Sequence, residues 1–495
     1  MSDIFAYISA NYFTLFLLGA AAALGLVLIF FLEKSYYLIY VLLIWFPLEN
    51  LILRFTPLEY YAPVKYFPEI LIYSALLAGW YRYAKREQRF FLRLPVNRWF
   101  LAFLAVGVVS LIINWYNPVV WLLGLRQIFR FALIFVIILF EDYSDDVIKW
   151  FLRLGGGMIL FEAALGLVQY LAGGALDRYL FFSDSVSIAG VAELEGLQQF
   201  WAPGERVFAT LGRYDRLGSL LALGLIMLFP WLYAIKKEKY QLWWRGAMLL
   251  GGAALVLTYS RSSWLAAVAG IVTVGYGLVR DKRILKLAGI FCGILTALLL
   301  FVVVTNNYGG GALDKPTQTL PERVVEAVSI YSWRQNYEGY GRFFFIVNTP
   351  LMVVRYYPLF GVGLGNYGGG VAAALGNTKV YDKLHLPFGI QNTFGQIDNN
   401  WLSLWGETGT LGILCWIMVF VTIFKTARAV AERASAVVER TVAQGLCGAV
   451  VGIMVLAYFG PFFEFRSLML YFWILVGMVM RFYRSGRTAG NFLKE

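Results

Sequence analysis

Six arginines of this sequence lie in or beside apolar stretches, where a fixed positive charge is costly: Arg126, Arg130, Arg213, Arg216, Arg261 and Arg342. Ionisable groups in or next to membrane spans mark function by default. Guanidinium groups grip phosphates bidentately and stay charged at any relevant pH. Six of them near one surface point to an anion site, and the obvious anion in a membrane is a lipid-borne phosphate or diphosphate. Taken singly, each could instead be a solvated flank. Arg126 and Arg130 are four residues apart and share one helix face. They sit roughly 10 and 16 Å inside the outer end of their span at 1.5 Å per residue. Arg126 can snorkel to the surface, whereas Arg130 needs a partner or a water-filled cavity. Glu162 is the candidate partner for a plain salt bridge.

A hydroxyl attacking beside such a site needs a base within hydrogen-bond reach. Asp398, followed by Asn399 and Asn400, is the candidate. An unperturbed aspartate at about 3.9 is a weak base at neutral pH; burial would raise that value and arginines would lower it. Asp398 also stands where a helix N-cap is wanted, and the two roles are compatible. Glu407 could organise a hydrogen-bond network or orient Asp398. His385, the only histidine, is a tempting base, but between Leu384 and Leu386 it reads first as a packing residue.

The elements that must position these groups are membrane helices. Hydrophobic residues make up 60% of the chain and charged residues only 15%, which places it in the integral-membrane class. Spans of about 20 apolar residues are expected near 9–31, 35–53, 66–81, 99–115, 119–140, 147–172, 217–235, 243–259, 262–279, 285–305, 401–424, 443–460 and 464–482. Alternating barrel patterns are absent, so the fold class is an all-α polytopic bundle of about 12–13 helices. The start of the chain has no basic region before its first apolar run and reads as a retained span. Cys292, Cys415 and Cys447 fall within spans at no metal-ligand spacing.

The net charge of +12 comes from short connections: Arg82 to Arg98, Lys236 to Arg245, Arg280 to Lys286, Lys425 to Arg440, and Arg481 to Arg487. Alternating spans put all five on one side, as the positive-inside rule requires. Topology thus accounts for the charge, and nucleic acid is not an expected partner. The basic side is then cytoplasmic, and residues 306–400, the one long departure from the apolar pattern, are external. The chain divides into N-terminal helices (1–305), this external loop (306–400), and C-terminal helices with a cytoplasmic tail (401–495). Segment 343–357 is apolar enough to lie in the interface. The glycine run from Gly361 to Gly370 reads as a tight-packing turn, since no βαβ unit surrounds it. The sequence holds no GxxxxGK[ST] motif and its external connections hold no Asp-x-Asp pair, so neither cofactor nor metal is expected.

Three segments together resemble one family. They are LTYSRSSW (Leu257 to Trp264), Gly341-Arg342 with YPLFGVGLGNY (Tyr357 to Tyr367), and DNNWLSLWGETGTLG (Asp398 to Gly412). In this order and spacing they resemble the O-antigen ligase and O-antigen polymerase superfamily of bacterial membrane glycosyltransferases. The resemblance implies a donor glycan on undecaprenyl diphosphate, transferred with inversion to a sugar hydroxyl at the outer face of the inner membrane. It implies that Arg261 and Arg342 grip the diphosphate. Arg213, Arg216, Arg126 and Arg130 are second-tier candidates for binding the diphosphate, and Asn399, Glu407 and His385 are secondary site candidates. Asp398 stands at the position of the ligases' histidine, a departure that tilts the expectation toward polymerases of O-antigen or exopolysaccharide repeats. Expected partners are the lipid-linked donor, a glycan or lipid-linked glycan acceptor, membrane lipids, and, as candidate proteins, a chain-length regulator or a flippase. A ligase acting on lipid A core is the second reading. An anion or lipid-linked glycan transporter is the third, disfavoured because no internal repeat is visible.

Overall fold

Long apolar runs punctuated by proline, glycine and charge give helices in nearly every expected place. The computed structural model describes residues 34–85, 94–180, 203–235, 237–305 and 330–488, together with two short strands. The helices are α1 (Tyr36–Arg54), α2 (Leu58–Lys85), α3 (Pro95–Asn114), α4 (Pro118–Phe129), α5 (Ala132–Glu141), α6 (Asp145–Leu171), α7 (Tyr214–Ala234), α8 (Glu238–Leu257), α9 (Arg261–Val272) and α10 (Lys282–Thr305). Then come α11 (Ile330–Glu338), α12 (Arg342–Asn348), α13 (Gly370–Ala374), α14 (Lys379–Leu384), α15 (Asn400–Arg433), α16 (Val437–Phe459) and α17 (Arg466–Thr488). The strands Val186–Ile188 and Val191–Glu193 pair antiparallel as a small hairpin.

The expected spans from residue 35 onward all coincide with helices, and the span at 9–31 lies outside the described residues. Among the described residues seven helices (α1, α3, α6, α7, α15, α16 and α17) are long and apolar enough to cross a membrane. The run 119–140, expected as one span, is instead the pair α4 and α5, bent by 64° at Arg130 and Phe131; as one broken span it would be an eighth. The chain is an all-α polytopic membrane protein.

Burial orders the bundle. Within α17, 83% of the membrane-length window is buried, against 33% in α3 and α6, so α17 is the central post and the others present a face outward. It packs on α5, α15, α16, α7 and α1. Its Phe472, Trp473 and Met480 are fully enclosed, and Trp416 of α15 adds an aromatic layer against Phe100 and Phe103. Two ends are then distinguishable. At one, Arg82 pairs with Glu141, Arg481 with Asp145 at 2.8 Å and Arg484 with Asp142 at 3.0 Å. This end gathers basic connections, as the charge pattern requires. The opposite end carries the candidate site.

Of the long loop, 306–329 lies outside the described residues. The apolar segment expected at 343–357 is α12, prolonged by a π-helical turn Thr349–Val354. It is two-faced: Phe345 and Val353 are buried, while Val347 and Leu351 are exposed.

Candidate active site

Two interrupted helices build the floor of the site. The first is the α4–α5 break. Asn117 caps α4 by accepting from the Val119 N–H at 2.9 Å, and Pro118 occupies the first turn, where its missing N–H costs nothing. The second is a kink in α15 at Gly409, whose φ of +66° leaves the helical region. The carbonyls and N–H groups freed there are not orphaned, because the segment Pro358 to Gly363 lies in the gap. Val362 N–H donates to Gly406 O at 2.9 Å and Gly363 N–H to Glu407 O at 2.8 Å. In return Thr410 N–H donates to Pro358 O at 2.8 Å and Leu411 N–H to Leu359 O at 3.2 Å. Irregular backbone in a membrane protein survives only where protein or water satisfies it. Gly361, at φ +66°, touches the Glu407 backbone so closely that a Cβ would collide with it. The glycine run is therefore a packing turn, as its sequence context indicates.

Glu407 clasps that turn. Its buried carboxylate accepts from Gly365 N–H at 2.9 Å and Tyr367 N–H at 3.4 Å. α4 presses on the same turn: a Cβ at Gly124 would stand 2.7 Å from Gly365 N, and Gln127 accepts from Val371 N–H at 2.9 Å. Of the two roles open to Glu407, organising the network is the one its bonds support; no bond links it to Asp398. A small cavity of about 20 Å³ separates Glu407 from Glu464. Glu464 lies in the turn between α16 and α17 and accepts from Gln396 at 3.3 Å. Burial pushes its carboxyl up to about 7, although Arg130 pulls the other way.

The intramembrane arginines are paired, but not with Glu162. Glu162 instead accepts from the N–H of Thr210 and binds its hydroxyl. Glu69 of α2, itself only 4% exposed, receives Arg126 at 2.6 Å, Arg130 at 3.1 Å and Arg466 at 3.2 Å. Arg466 also binds Glu49. Three guanidiniums thus share the carboxylates Glu69 and Glu49 in one part-buried cluster. Arg130 extends to Glu464 O at 3.4 Å, tying the cluster to the α16–α17 turn.

Arg342 and Asp398 come together from opposite ends of the loop. Arg342 Nε donates to Asp398 O at 3.1 Å and its Nη2 to Phe459 O at 2.6 Å; the same nitrogen lies 3.5 Å from Asp398 Oδ2. Both side chains remain part-exposed, at 33% and 45%. The cap of α15 is Asn399, not Asp398: the Asn399 side chain accepts from Leu402 N–H at 3.0 Å. The Asp398 carboxylate is left for the solvent-facing site. Asn400 turns inward and accepts from Phe463 N–H at 2.8 Å.

Arg213 lies within electrostatic reach of Asp398, and Arg216 follows in the first turn of α7. Arg213 is ion-paired with Asp215 at 2.8 Å. Burial opposes its charge, but Asp215, helped by Asp398, outweighs it and raises its pKa. Arg216 donates to Asn50 at 3.5 Å and lies over the Phe465 ring at 5.8 Å, next to Arg466. Arg261 opens α9 and is half-buried. Ser260 and Ser263 pack on Gly218, two residues past Arg216, so Arg261 begins its helix at this same end. His385 is apart from all of this. It is exposed, ends α14 with φ +52°, and leaves packing to Leu384 and Tyr381.

Several charged residues at this end escape the sequence reading, Arg466, Glu69 and Arg206 among them. Arg466 and Glu69 each interrupt an expected apolar run or its edge, and that interruption was the available signal. Arg206, 2% exposed, stacks over Tyr214 at 4.5 Å, and nothing local distinguishes it from an ordinary loop arginine.

The O-antigen ligase family matches over residues 246–417. That stretch runs from α8 into α15 and includes Arg261, Arg342, His385, Asp398 and Glu407, but not Arg126, Arg130, Arg213 or Arg216. No curated protein matches the chain. The matched stretch contains Arg261, Arg342 and Asp398 in the order the three motifs require. Over this stretch the match supports a membrane protein of the O-antigen ligase and polymerase superfamily.

Proposed function

We propose that the protein polymerises O-antigen or exopolysaccharide repeat units. It would take the glycan from undecaprenyl diphosphate at the periplasmic face of a bacterial inner membrane. The observation that carries this reading is the pairing of Arg342 with a non-capping Asp398, at the end of the bundle opposite the basic connections. Arg213 lies within electrostatic reach of Asp398, and Arg216 and Arg261 stand in the first turns of helices that begin at this same end. Fixed guanidiniums in a partly dry site stabilise charge that develops on a leaving diphosphate, with no reorganisation at the moment of reaction. No metal is needed for that step.

The reaction balances simply. The acceptor hydroxyl oxygen bonds to the anomeric carbon from the face opposite the diphosphate, which inverts that centre. The bond from the anomeric carbon to the phosphate oxygen breaks, and undecaprenyl diphosphate leaves. The hydroxyl proton passes to Asp398 and then to solvent. Arg342 holds Asp398 by both its carbonyl and its carboxylate, so one side chain aligns the base with the charge to be stabilised. An aspartate where the ligases have histidine favours the polymerase over the ligase.

Purified protein given a lipid-linked oligosaccharide tests the choice. A ladder of longer lipid-linked products is expected. A single transfer to lipid A core, without a ladder, would make it a ligase. No new glycan with either acceptor would remove both readings.

A further inference from the structure

A second cavity, of about 540 Å³, lies among α6, α7, α8 and α17. It is at the basic end of the bundle, away from the arginine site, and within the ~300–1,000 Å³ usual for small-molecule sites. Its walls are apolar side chains such as Leu160, Leu228 and Met478. Part of one wall has no side chains at all: Gly155, Gly156 and Gly157 follow one another in α6. Gly155 packs against Tyr471, but a Cβ on Gly156 or Gly157 would meet nothing within 4 Å. Glycine is disfavoured in a helix interior, and helix packing explains only the first of the three.

The cavity is lined along α6 from Lys149 to Leu160, roughly 16 Å at 1.5 Å per residue. That is about half of a ~30 Å hydrocarbon core, the depth of one leaflet. Its mouth carries Lys149, Arg153 and three tryptophans. Trp231 and Trp244 stack at 5.3 Å with planes 4° apart, at the level where such rings anchor membrane proteins. The mouth also holds, among the described residues, one cation beyond its ion pairs. Asp142 and Asp145 are taken by Arg484 and Arg481, and Asp146 by Lys149 at 3.0 Å. Among the described residues Arg153 makes no ion pair; it lies 5.3 Å from the Trp150 ring.

We infer that this cavity seats an acyl chain of an acidic phospholipid from the leaflet at the basic end, with Arg153 and Lys149 meeting its phosphate. The apolar walls would accept any chain. The cations at the mouth choose an acidic headgroup, as basic pockets between membrane helices do. The site is independent of glycan transfer.

The test is native mass spectrometry of the full-length protein, stripped of lipid in detergent and offered phosphatidylglycerol or phosphatidylcholine. Phosphatidylglycerol is expected to be retained in preference by on the order of fivefold or more, from about 1 kcal/mol per basic residue at the headgroup. Replacing both Arg153→Gln and Lys149→Gln should bring that preference to parity. Gly156→Leu should lower retention of both lipids, because it fills the chain cavity. Equal retention by the wild type, a preference unchanged in the glutamine variant, or full retention by Gly156→Leu would each overturn the assignment. Melting in detergent identifies a misfolded sample. Arg153→Gln alone, at an exposed position, supplies the charge test should the double variant not fold.

Discussion

Asp398→Asn is expected to lower the rate of glycan transfer by roughly 10²–10⁴-fold, the usual contribution of a general base, and to leave the fold intact. The structure separates these two outcomes. The side chain that caps α15 is Asn399, through Leu402 N–H at 3.0 Å, so changing Asp398 removes no helix cap. Its ion pair with Arg342 is part-exposed, and such pairs contribute about 0–1 kcal/mol. Asparagine keeps the shape and keeps the backbone carbonyl that Arg342 Nε binds. What it loses is the ability to accept a proton. Transfer rate and melting temperature, measured on one preparation, check both halves. Full activity would assign Asp398 to orientation alone.

Glu69→Gln is expected to have the largest effect on stability, a loss on the order of 3 kcal/mol. One buried carboxylate gathers Arg126, Arg130 and Arg466. Removing one partner of a buried ion pair leaves the others as uncompensated charge, which costs more than the pair itself contributes. Glutamine can still accept hydrogen bonds but cannot balance three guanidiniums. Arg126 reaches solvent in part, with 31% of its side chain exposed, whereas Arg130 and Arg466 are at 12%. Arg466 keeps Glu49, so the penalty falls chiefly on Arg130. Thermal melting in detergent reads it; an unchanged midpoint would show that water, not Glu69, balances the cluster.

The sequence shows much of this and hides the rest for identifiable reasons. Apolar runs mark the helices because the bilayer demands about 20 such residues per span. They do not mark the bend at Arg130, since 119–140 has span length and composition throughout. Glycines from Gly361 onward announce a tight turn. That the turn inserts into a helix kink at Gly409 depends on hydrogen bonds across some fifty residues, which no local pattern carries. Arg130 plainly needs a partner. Whether Glu162 or Glu69 supplies it depends on which helix packs beside α5, and α2 does. At the start of α15, Asp398 and Asn399 are equally good caps by residue type. Asn399 takes the role because its backbone has the extended cap conformation, at φ −162° and ψ 105°. The three family motifs are legible because each is local. The meeting of Arg342 and Asp398, 56 residues apart, follows only from the fold.

The most direct test of the central claim is transfer from a lipid-linked oligosaccharide by folded Arg261→Ala and Arg342→Ala variants, singly and together. Loss of one fixed donor to the developing charge is expected to cost roughly 10²–10³-fold, so the double variant should give no detectable product while expressing and melting like the wild type. Near-wild-type product from the double variant would contradict the arginine site.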